Sequence, residues 1–316
     1  MTKQKEKVTV LQRSKTGRVP PWLKRDIYLY MMLVLPVVYY LVFCYVPMYG
    51  TTIAFKDYNI FDGMFKSEWI GFETFKSIFK MKEFSRAVFN TLRLNFLSLI
   101  FGFPSPIILA LMLNEVKSKI FKKSVQTILY LPHFISWVII GGFVTQIFST
   151  NTGILNNLIK GLGGAPIEFL TNGRLWIMTY TLMGIWQGIG WGAIVYLAAI
   201  TGVSQDIYEA ATVDGCGRIR MIFSITLPSI KPTIATMFIL QVGKIMNIGL
   251  DQPIMLSNSL VMEQADVIST FVYRVGLSGA DFSVATAVGL FQSVVGLIML
   301  VAANTVVNRL GEEGIW

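Results

Sequence analysis

Residues 209–228 read EAATVDGCGRIRMIFSITLP, a polar and small-residue-rich stretch in the second half of an apolar chain. Ser204 lies just before it and is a predicted N-cap, so a short helix is expected over Gln205–Val213. Gly215 stands where a left-handed residue would end that helix. The stretch therefore begins, by prediction, with a capped helix and a glycine corner.

The second half of the stretch is predicted to form another short helix. Ile219, Ile222 and Phe223 follow the i, i+3, i+4 spacing that places side chains on one helical face. Pro228 is expected to stop this helix, and Pro232 lies near the start of the next apolar segment. On these features alone the loop is either a docking surface for another protein or an amphipathic segment at the lipid headgroups.

The composition of the whole chain indicates an integral membrane protein. Of 316 residues, 53% are hydrophobic and 14% charged, with a mean hydropathy of +0.59, whereas soluble domains carry about 25% charged residues. The net charge of +9 fits the Lys and Arg that collect at cytoplasmic flanks. Cys44, Cys216 and the single histidine, His133, predict neither a disulfide framework nor a metal site.

Six segments are apolar enough to cross a bilayer, which takes about 20 residues each. They are 27–49, 88–113, 125–149, 175–201, 230–250 and 284–308. The first is too long for a signal peptide and is predicted to be a retained span. Residues 1–26 are predicted to be a basic cytoplasmic segment, and 27–316 a single transmembrane domain.

The distribution of basic residues predicts that both termini are cytoplasmic. With the N-terminus inside, the inner segments hold 16 of the 27 Lys and Arg residues and the longer outer loops hold 9. Cytoplasmic loops are enriched in Lys and Arg, so this orientation is favoured. It places residues 202–229, here called the EAA loop, in the cytoplasm.

The EAA loop resembles the EAA motif of permease subunits in binding-protein-dependent ABC importers. That pattern is E-A-A, three residues, G, nine residues, I, one residue, L-P, and it is matched at Glu209, Ala210, Ala211, Gly215, Ile225, Leu227 and Pro228. Four further stretches resemble a subgroup that handles complex oligosaccharides or polysaccharides. They are YLPHFISWVI (130–139), GIGWGAIVYLAAITG (188–202), ADVISTFVYRVGL (265–277) and GIW (314–316).

The resemblance implies an all-α integral membrane protein with six transmembrane helices, the type I ABC importer permease fold with cytoplasmic coupling helices. It implies a bacterial cell-membrane protein that imports oligosaccharides or polysaccharide fragments. The implied partners are a second permease, two ATPase subunits and an extracellular or periplasmic sugar-binding protein. The chain lacks the phosphate-loop pattern G-x-x-x-x-G-K-[ST], so ATP and Mg are expected on the ATPases, and this chain is expected to be no enzyme.

The same resemblance assigns roles within the EAA loop. Glu209, Ala210 and Ala211 would fit the first helix of the loop into a depression on the ATPase. Gly215 would form the bend. Arg218 would offer a cationic donor to carboxylates of the partner. Ile225, Leu227 and Pro228 complete the coupling set, with Pro228 fixing where the arm meets the fifth span.

A path for a sugar needs polar groups for hydroxyls and aromatic faces, and spans four and five offer both. The candidates are Trp186, Gln187, Trp191, Lys244, Asn247 and Asp251. In span five, Lys244, Asn247 and Asp251 lie at spacings of three and four residues, which predicts that they share one helical face. Ionisable residues inside a membrane usually face a cavity. Alternatively, Lys244 pairs with an acidic group of the partner permease or snorkels.

Other function classes have weaker support. A secondary transporter usually carries paired carboxylates within its spans and internal repeats, which this sequence lacks. An intramembrane metalloprotease would need a motif such as H-E-x-x-H, which is absent. Glu263, Asp266 and Asp281 in the last outer loop either meet the binding protein or are solvated loop charges.

Overall fold

The computed structural model describes residues 27–312 and 314–316. The basic segment 1–26, with its predicted cytoplasmic position, lies outside the described residues. The chain divides into two compact units, with the boundary between Thr51 and Thr52.

The first unit contributes one long helical element. It consists of the α-helix Ile27–Tyr40, the π-helical turn Leu41–Tyr45, the α-helical turn Val46–Met48 and the start of the 3-10 segment Tyr49–Phe55. Residues 27–49 are all exposed. This element is long and apolar enough to cross a membrane, as predicted for the first span.

The second unit is helical apart from one small β pair, in which β1 (Lys56–Asp57) pairs antiparallel with β2 (Glu68–Trp69). Its α-helices are Gly63–Lys66, Glu73–Lys80, Lys82–Leu97, Pro104–Glu115, Lys119–Tyr130, Trp137–Phe148, Ile154–Gly161, Gly173–Thr201, Gln205–Val213, Arg218–Met221, Leu227–Ser229, Lys231–Gly243, Asp251–Leu256, Met262–Ala265, Ile268–Val272 and Phe282–Arg309. The π-helical segments are Ser98–Gly102, Ile222–Thr226 and Tyr273–Ser278, and the 3-10 turns are Leu131–Phe134 and Ser259–Val261.

Among the described residues, four helices are long and apolar enough to cross a membrane, or up to six if each of two bent pairs counts as one span. The four are Ile27–Phe55, Lys82–Glu115, Gly173–Thr201 and Phe282–Arg309, numbered here spans 1, 2, 4 and 6. One bent pair covers predicted span three, and the other joins the end of the EAA loop to the part of predicted span five that precedes Lys244. The all-α membrane architecture is therefore confirmed, and two of its spans are broken.

Span 3 is broken where the sequence predicted one helix over 125–149. Lys119–Phe134 and Trp137–Phe148 meet at an angle of 104°. Pro132 opens the 3-10 turn at the break, and Ser136 after it is extended, with ψ at 150°. Proline removes an amide donor and clashes with the preceding helical turn, so the apolar run cannot continue as one straight helix.

Span 4 packs closely against this break. Gly190 lies in the middle of Gly173–Thr201, and a Cβ on it would collide with the backbone carbonyl oxygen of Leu129. Glycine at this position lets the two backbones approach where any larger residue would push them apart.

Span 5 (Lys231–Gly243) also ends earlier than predicted. The helix stops at Gly243, and residues 244–250 form turns and irregular chain before the helix Asp251–Leu256 begins. Lys244, Asn247 and Asp251 are therefore not on one helical face, and that prediction is wrong.

Two amide side chains explain why the chain can leave the helix here. Asn95 Nδ2 in span 2 donates to the carbonyl oxygens of Ile245 at 2.8 Å and Asn247 at 3.4 Å. Gln292 Nε2 in span 6 donates to the carbonyl oxygen of Met246 at 2.7 Å. Non-helical backbone at membrane depth is tolerated only when its polar groups find such partners.

The segment between spans 5 and 6 holds a buried ion pair that the sequence interpretation missed. Asp266 is 1% exposed, and its two carboxylate oxygens accept from the Arg274 guanidinium at 3.0 and 2.8 Å. Arg86 of span 2 lies 3.6 Å from the same carboxylate. The hydrogen bond to Asp266 raises the pKa of Arg274. Asp266 thus connects Arg274 to Arg86 of span 2 inside the protein. Its interpretation as a solvated loop charge is wrong.

The GIW stretch folds back onto the helix that precedes it. The backbone N–H of Gly314 donates to Asn308 Oδ1, and that of Ile315 to Asn304 Oδ1, both at 2.7 Å. A Cβ on Gly314 would collide with both amide oxygens. Nearby, Lys231 Nζ lies 3.0 Å from a carboxylate oxygen of Glu312, which links this tail to the start of span 5.

Candidate functional site: the EAA loop and a polar cavity

The first half of the EAA loop has the predicted form. Ser204 caps the helix Gln205–Val213, and its hydroxyl accepts from the backbone N–H of Asp206 at 3.2 Å. Gly215 has a φ of +73°. The N–H of Gly215 donates to Thr212 O and that of Cys216 to Ala211 O, the paired bonds of a Schellman motif. The glycine corner is therefore confirmed.

The second half continues further than predicted. An α-helical turn at Arg218–Met221 leads into the π-helical turn Ile222–Thr226 and then the short helix Leu227–Ser229. Pro228 lies inside this arm and does not stop it. The arm ends at Ser229, where the chain bends by 62° into Lys231–Gly243.

One end of the EAA loop is anchored in the protein core. The hydroxyls of Tyr208 and Thr226 are 2.9 Å apart, which ties the first helix to the arm, and Thr226 is 1% exposed. Leu227 packs against a buried cluster at the ends of spans 2 and 4. That cluster comprises Ile107, Ala110, Leu113, Ala193, Tyr196, Leu197, Ile200 and Ile230. A force on the arm would therefore be transmitted to these two spans.

The other end of the EAA loop is exposed. Glu209 and Ala210 are exposed, and the Glu209 carboxylate makes no ion pair or hydrogen bond with any residue that the structure describes. Arg218 is exposed and equally without such a partner. Val213 and Ile219 are 88% and 74% exposed. This end combines free charges with apolar side chains, a combination suited to protein docking.

A cavity of about 530 Å³ lies among spans 2, 4 and 5 and the unwound segment 244–250. Its wall is mostly apolar. The polar residues in the wall are Asn95, Ser98, Tyr180, Thr181, Tyr196, Gln241, Lys244, Asn247 and Gln252. A cavity of this size, lined by apolar groups and a few polar ones, fits a small-molecule or oligomer-unit site.

The polar side chains of the cavity fall into two groups. Asn95 and Gln252 are committed to the fold, because Asn95 holds the unwound segment and Gln252 Nε2 donates to Tyr180 O at 2.9 Å. The side chains of Gln241, Lys244 and Asn247 make no hydrogen bond or ion pair with any described residue. These three are therefore available to a ligand.

The structure brings together two of the six residues predicted for the sugar path. Lys244 and Asn247 line the cavity. Trp186, Gln187 and Trp191 lie on other faces of span 4 and are not among its lining residues, and Asp251 is exposed outside it. The cavity wall itself therefore contains neither tryptophan.

The ring of Trp191 has a different neighbour. It stacks on His133 at the break in span 3, with ring centroids 4.6 Å apart and an interplanar angle of 3°. Phe134 meets the same indole edge-on at 5.8 Å. The His133 ring therefore packs against the rings of Phe134 and Trp191.

Sequence reasoning missed Gln241 and Gln252. The sequence did contain one sign of the cavity wall formed by span 4. Gly184, Gly188 and Gly192 repeat every four residues along this helix, and all three line the cavity. Residues at this spacing share one helix face, and a Cβ on Gly188 would meet open space. Gln241 stands three residues before Lys244, a spacing that also marks a shared face.

The family of the chain follows from a comparison with known proteins. Residues 102–312 match the model of the family described as binding-protein-dependent transport system inner membrane component. The chain belongs to this family. It is a transport subunit and not an enzyme, and it is a multi-pass membrane protein of a system that depends on a binding protein.

Two relatives of this permease come from Bacillus subtilis (strain 168). Protein LplB is 44% identical over 294 residues, covering 93% of this chain and 92% of the relative. The polygalacturonan/rhamnogalacturonan transport system permease protein YteP is 43% identical over 307 residues, covering 97% and 96%. The similarity thus extends along nearly the whole permease.

Solved structures similar to this permease include a bacterial ABC transporter that imports the acidic polysaccharide alginate. The matched chain has a TM-score of 0.84 and 45% identity, with 92% of this chain and 98% of that chain covered. A bacterial alginate ABC transporter in complex with an alginate pentasaccharide-bound periplasmic protein matches with the same TM-score at 44% identity. The permease fold of this chain is therefore that of an ABC transporter subunit.

Proposed function

We propose that this permease passes oligosaccharides or polysaccharide fragments through the polar cavity, driven by ATPase subunits that bind the EAA loop. The observation that carries the proposal is that one end of the EAA loop is exposed and the other is packed against the protein core. At the exposed end Glu209 has no partner among the described residues, and at the other end Leu227 packs against the buried cluster of spans 2 and 4. An element that is free at one end and anchored at the other is suited to transmit motion.

The cargo class is supported by the relatives and by the cavity. The two relatives and two structures above include proteins named for alginate and for polygalacturonan or rhamnogalacturonan transport. The cavity offers unpaired amide and ammonium donors at Gln241, Lys244 and Asn247, which suit hydroxyl-rich ligands.

The proposed complex contains this chain, a second permease, two ATPases that carry ATP and Mg, and an external sugar-binding protein. Both termini of this chain are placed in the cytoplasm, because the basic residues are denser on that side of the predicted topology. The EAA loop then faces the ATPases, and residues 251–283 face the binding protein.

The transport proposal is tested by purification and reconstitution. A tagged chain should co-purify with an ATPase and a second permease, and the complex in liposomes should take up labelled oligosaccharide only with ATP inside and the binding protein outside. Uptake by this chain alone along an ion gradient would instead indicate a secondary transporter.

The coupling role is tested at the glycine corner. Gly215→Pro cannot keep a φ of +73°, since proline fixes φ near −65°. We expect the complex to insert and assemble, but ATP-driven uptake to fall to background. Gly217→Pro is the matched control, because Gly217 already has a φ of −72° and a Cβ there meets open space. Wild-type uptake by the Gly215→Pro complex would contradict the coupling assignment.

A further inference from the structure

The break in span 5 exposes three polar side chains to the cavity. Gln241 lies in the last turn of the helix, Lys244 caps its end, and Asn247 lies in the unwound segment. All three line the cavity, and none of their side chains has a partner among the described residues.

The charge of this group has no counterpart in the cavity wall. Among the described lining residues, Lys244 is the only charged one, and no Asp or Glu lines the cavity. Asp251, the acidic residue nearest to it in the sequence, is exposed and forms no ion pair with any described residue. A cation at membrane depth is costly unless an anion or strong acceptors compensate it.

Resting on the proposed function, we propose that the saccharide carried is acidic and that Lys244 binds its carboxylate. Gln241 and Asn247 then donate from their amides to the carboxylate or to neighbouring hydroxyls. A lysine ammonium is a point charge with three donors on a flexible stem. It can therefore bind the carboxylates of successive sugar units without fixing their orientation, which suits a ligand that must move on.

A carboxylate of the second permease is the competing partner for Lys244. The two arrangements predict different results when the charge of the sugar is changed. If Lys244 contacts the sugar, its loss affects acidic sugars more than neutral ones. If it contacts the second permease, its loss affects assembly and both kinds of sugar alike.

The test uses the purified complex of both permeases and the ATPases in nanodiscs, without the binding protein. Calorimetry compares trigalacturonate with the neutral trisaccharide made by reducing its three carboxyl groups. We expect the acidic sugar to bind about tenfold more tightly to the wild type, as for one hydrogen bond to a charged group. Lys244→Gln should remove most of this preference, and Lys244→Arg should retain part of it.

The control is Lys160→Gln, which removes the same charge from an exposed helix end outside the cavity wall and should leave the preference unchanged. Equal wild-type affinities for the two sugars would overturn the inference while the transport proposal stands. Equal losses of both affinities in Lys244→Gln would assign Lys244 to the second permease. Binding of neither sugar, together with no ATP-driven uptake, would overturn both proposals.

Discussion

Spans 4 and 5 border the same cavity and are built in opposite ways. Span 4 is one uninterrupted helix from Gly173 to Thr201 and turns a row of glycines to the cavity. Span 5 ends at Gly243 and continues as unwound chain that carries free polar side chains. The continuous helix forms one wall of the cavity, and the chain around the end of span 5 carries its free polar side chains.

Among substitutions in these two regions, the largest loss of stability is expected from Gly190→Val in span 4. The new side chain would collide with the Leu129 carbonyl at the break in span 3, so we expect a loss of about 3 kcal/mol in stability. The measurement is the thermal denaturation midpoint of the purified protein. Gly188→Ala is the control, since a Cβ there meets open space. An unchanged midpoint for Gly190→Val would show that the close approach is not required.

A smaller effect is expected from removing the side-chain donors that hydrogen-bond to the unwound segment 244–250. Asn95→Leu leaves two carbonyl oxygens of the unwound segment without a donor, whereas Gln292→Leu leaves one. The Asn247 carbonyl is exposed to solvent, so each variant loses mainly one part-buried hydrogen bond, at a cost of about 2 kcal/mol. Amide hydrogen exchange over residues 244–250 should rise in both variants and more in Asn95→Leu. Equal protection in all three proteins would mean that other contacts hold the segment.

The smallest effect is expected where the helix Asp251–Leu256, which follows the unwound segment, is hydrogen-bonded to span 4. Gln252→Leu removes the hydrogen bond from Gln252 Nε2 to Tyr180 O. That carbonyl keeps its helical partner within span 4, so we expect a loss of only about 1 kcal/mol. The thermal midpoint should fall less than in Asn95→Leu. A larger fall than in Asn95→Leu would indicate that the wall depends on the broken helix for its position.

The EAA loop could be predicted closely because its signals are local. The Ser204 cap, the helix after it and the left-handed Gly215 all depend on neighbours within a few residues. The six apolar segments were also evident from composition. The exception within the loop is Pro228, which the π-helical turn before it accommodates inside the arm.

The breaks in spans 3 and 5 and the cavity could not be predicted in the same way. The unwound segment stays apolar at Ile245, Met246 and Ile248, so hydropathy does not mark it. Its decisive partner, Asn95, is 150 residues away from Ile245 in the sequence. Lys244 was found because it is charged, whereas Gln241 and Gln252 become notable only when the fold shows which amides are committed.

The hydrogen bonds across the break also set an order for biogenesis. A 13-residue helix such as Lys231–Gly243 extends about 20 Å, less than the thickness of a bilayer's hydrocarbon core. Asn95 is synthesised before span 5 enters the membrane, but Gln292 is synthesised afterwards. The complete set of donors to the unwound segment is therefore present only after span 6 has been synthesised.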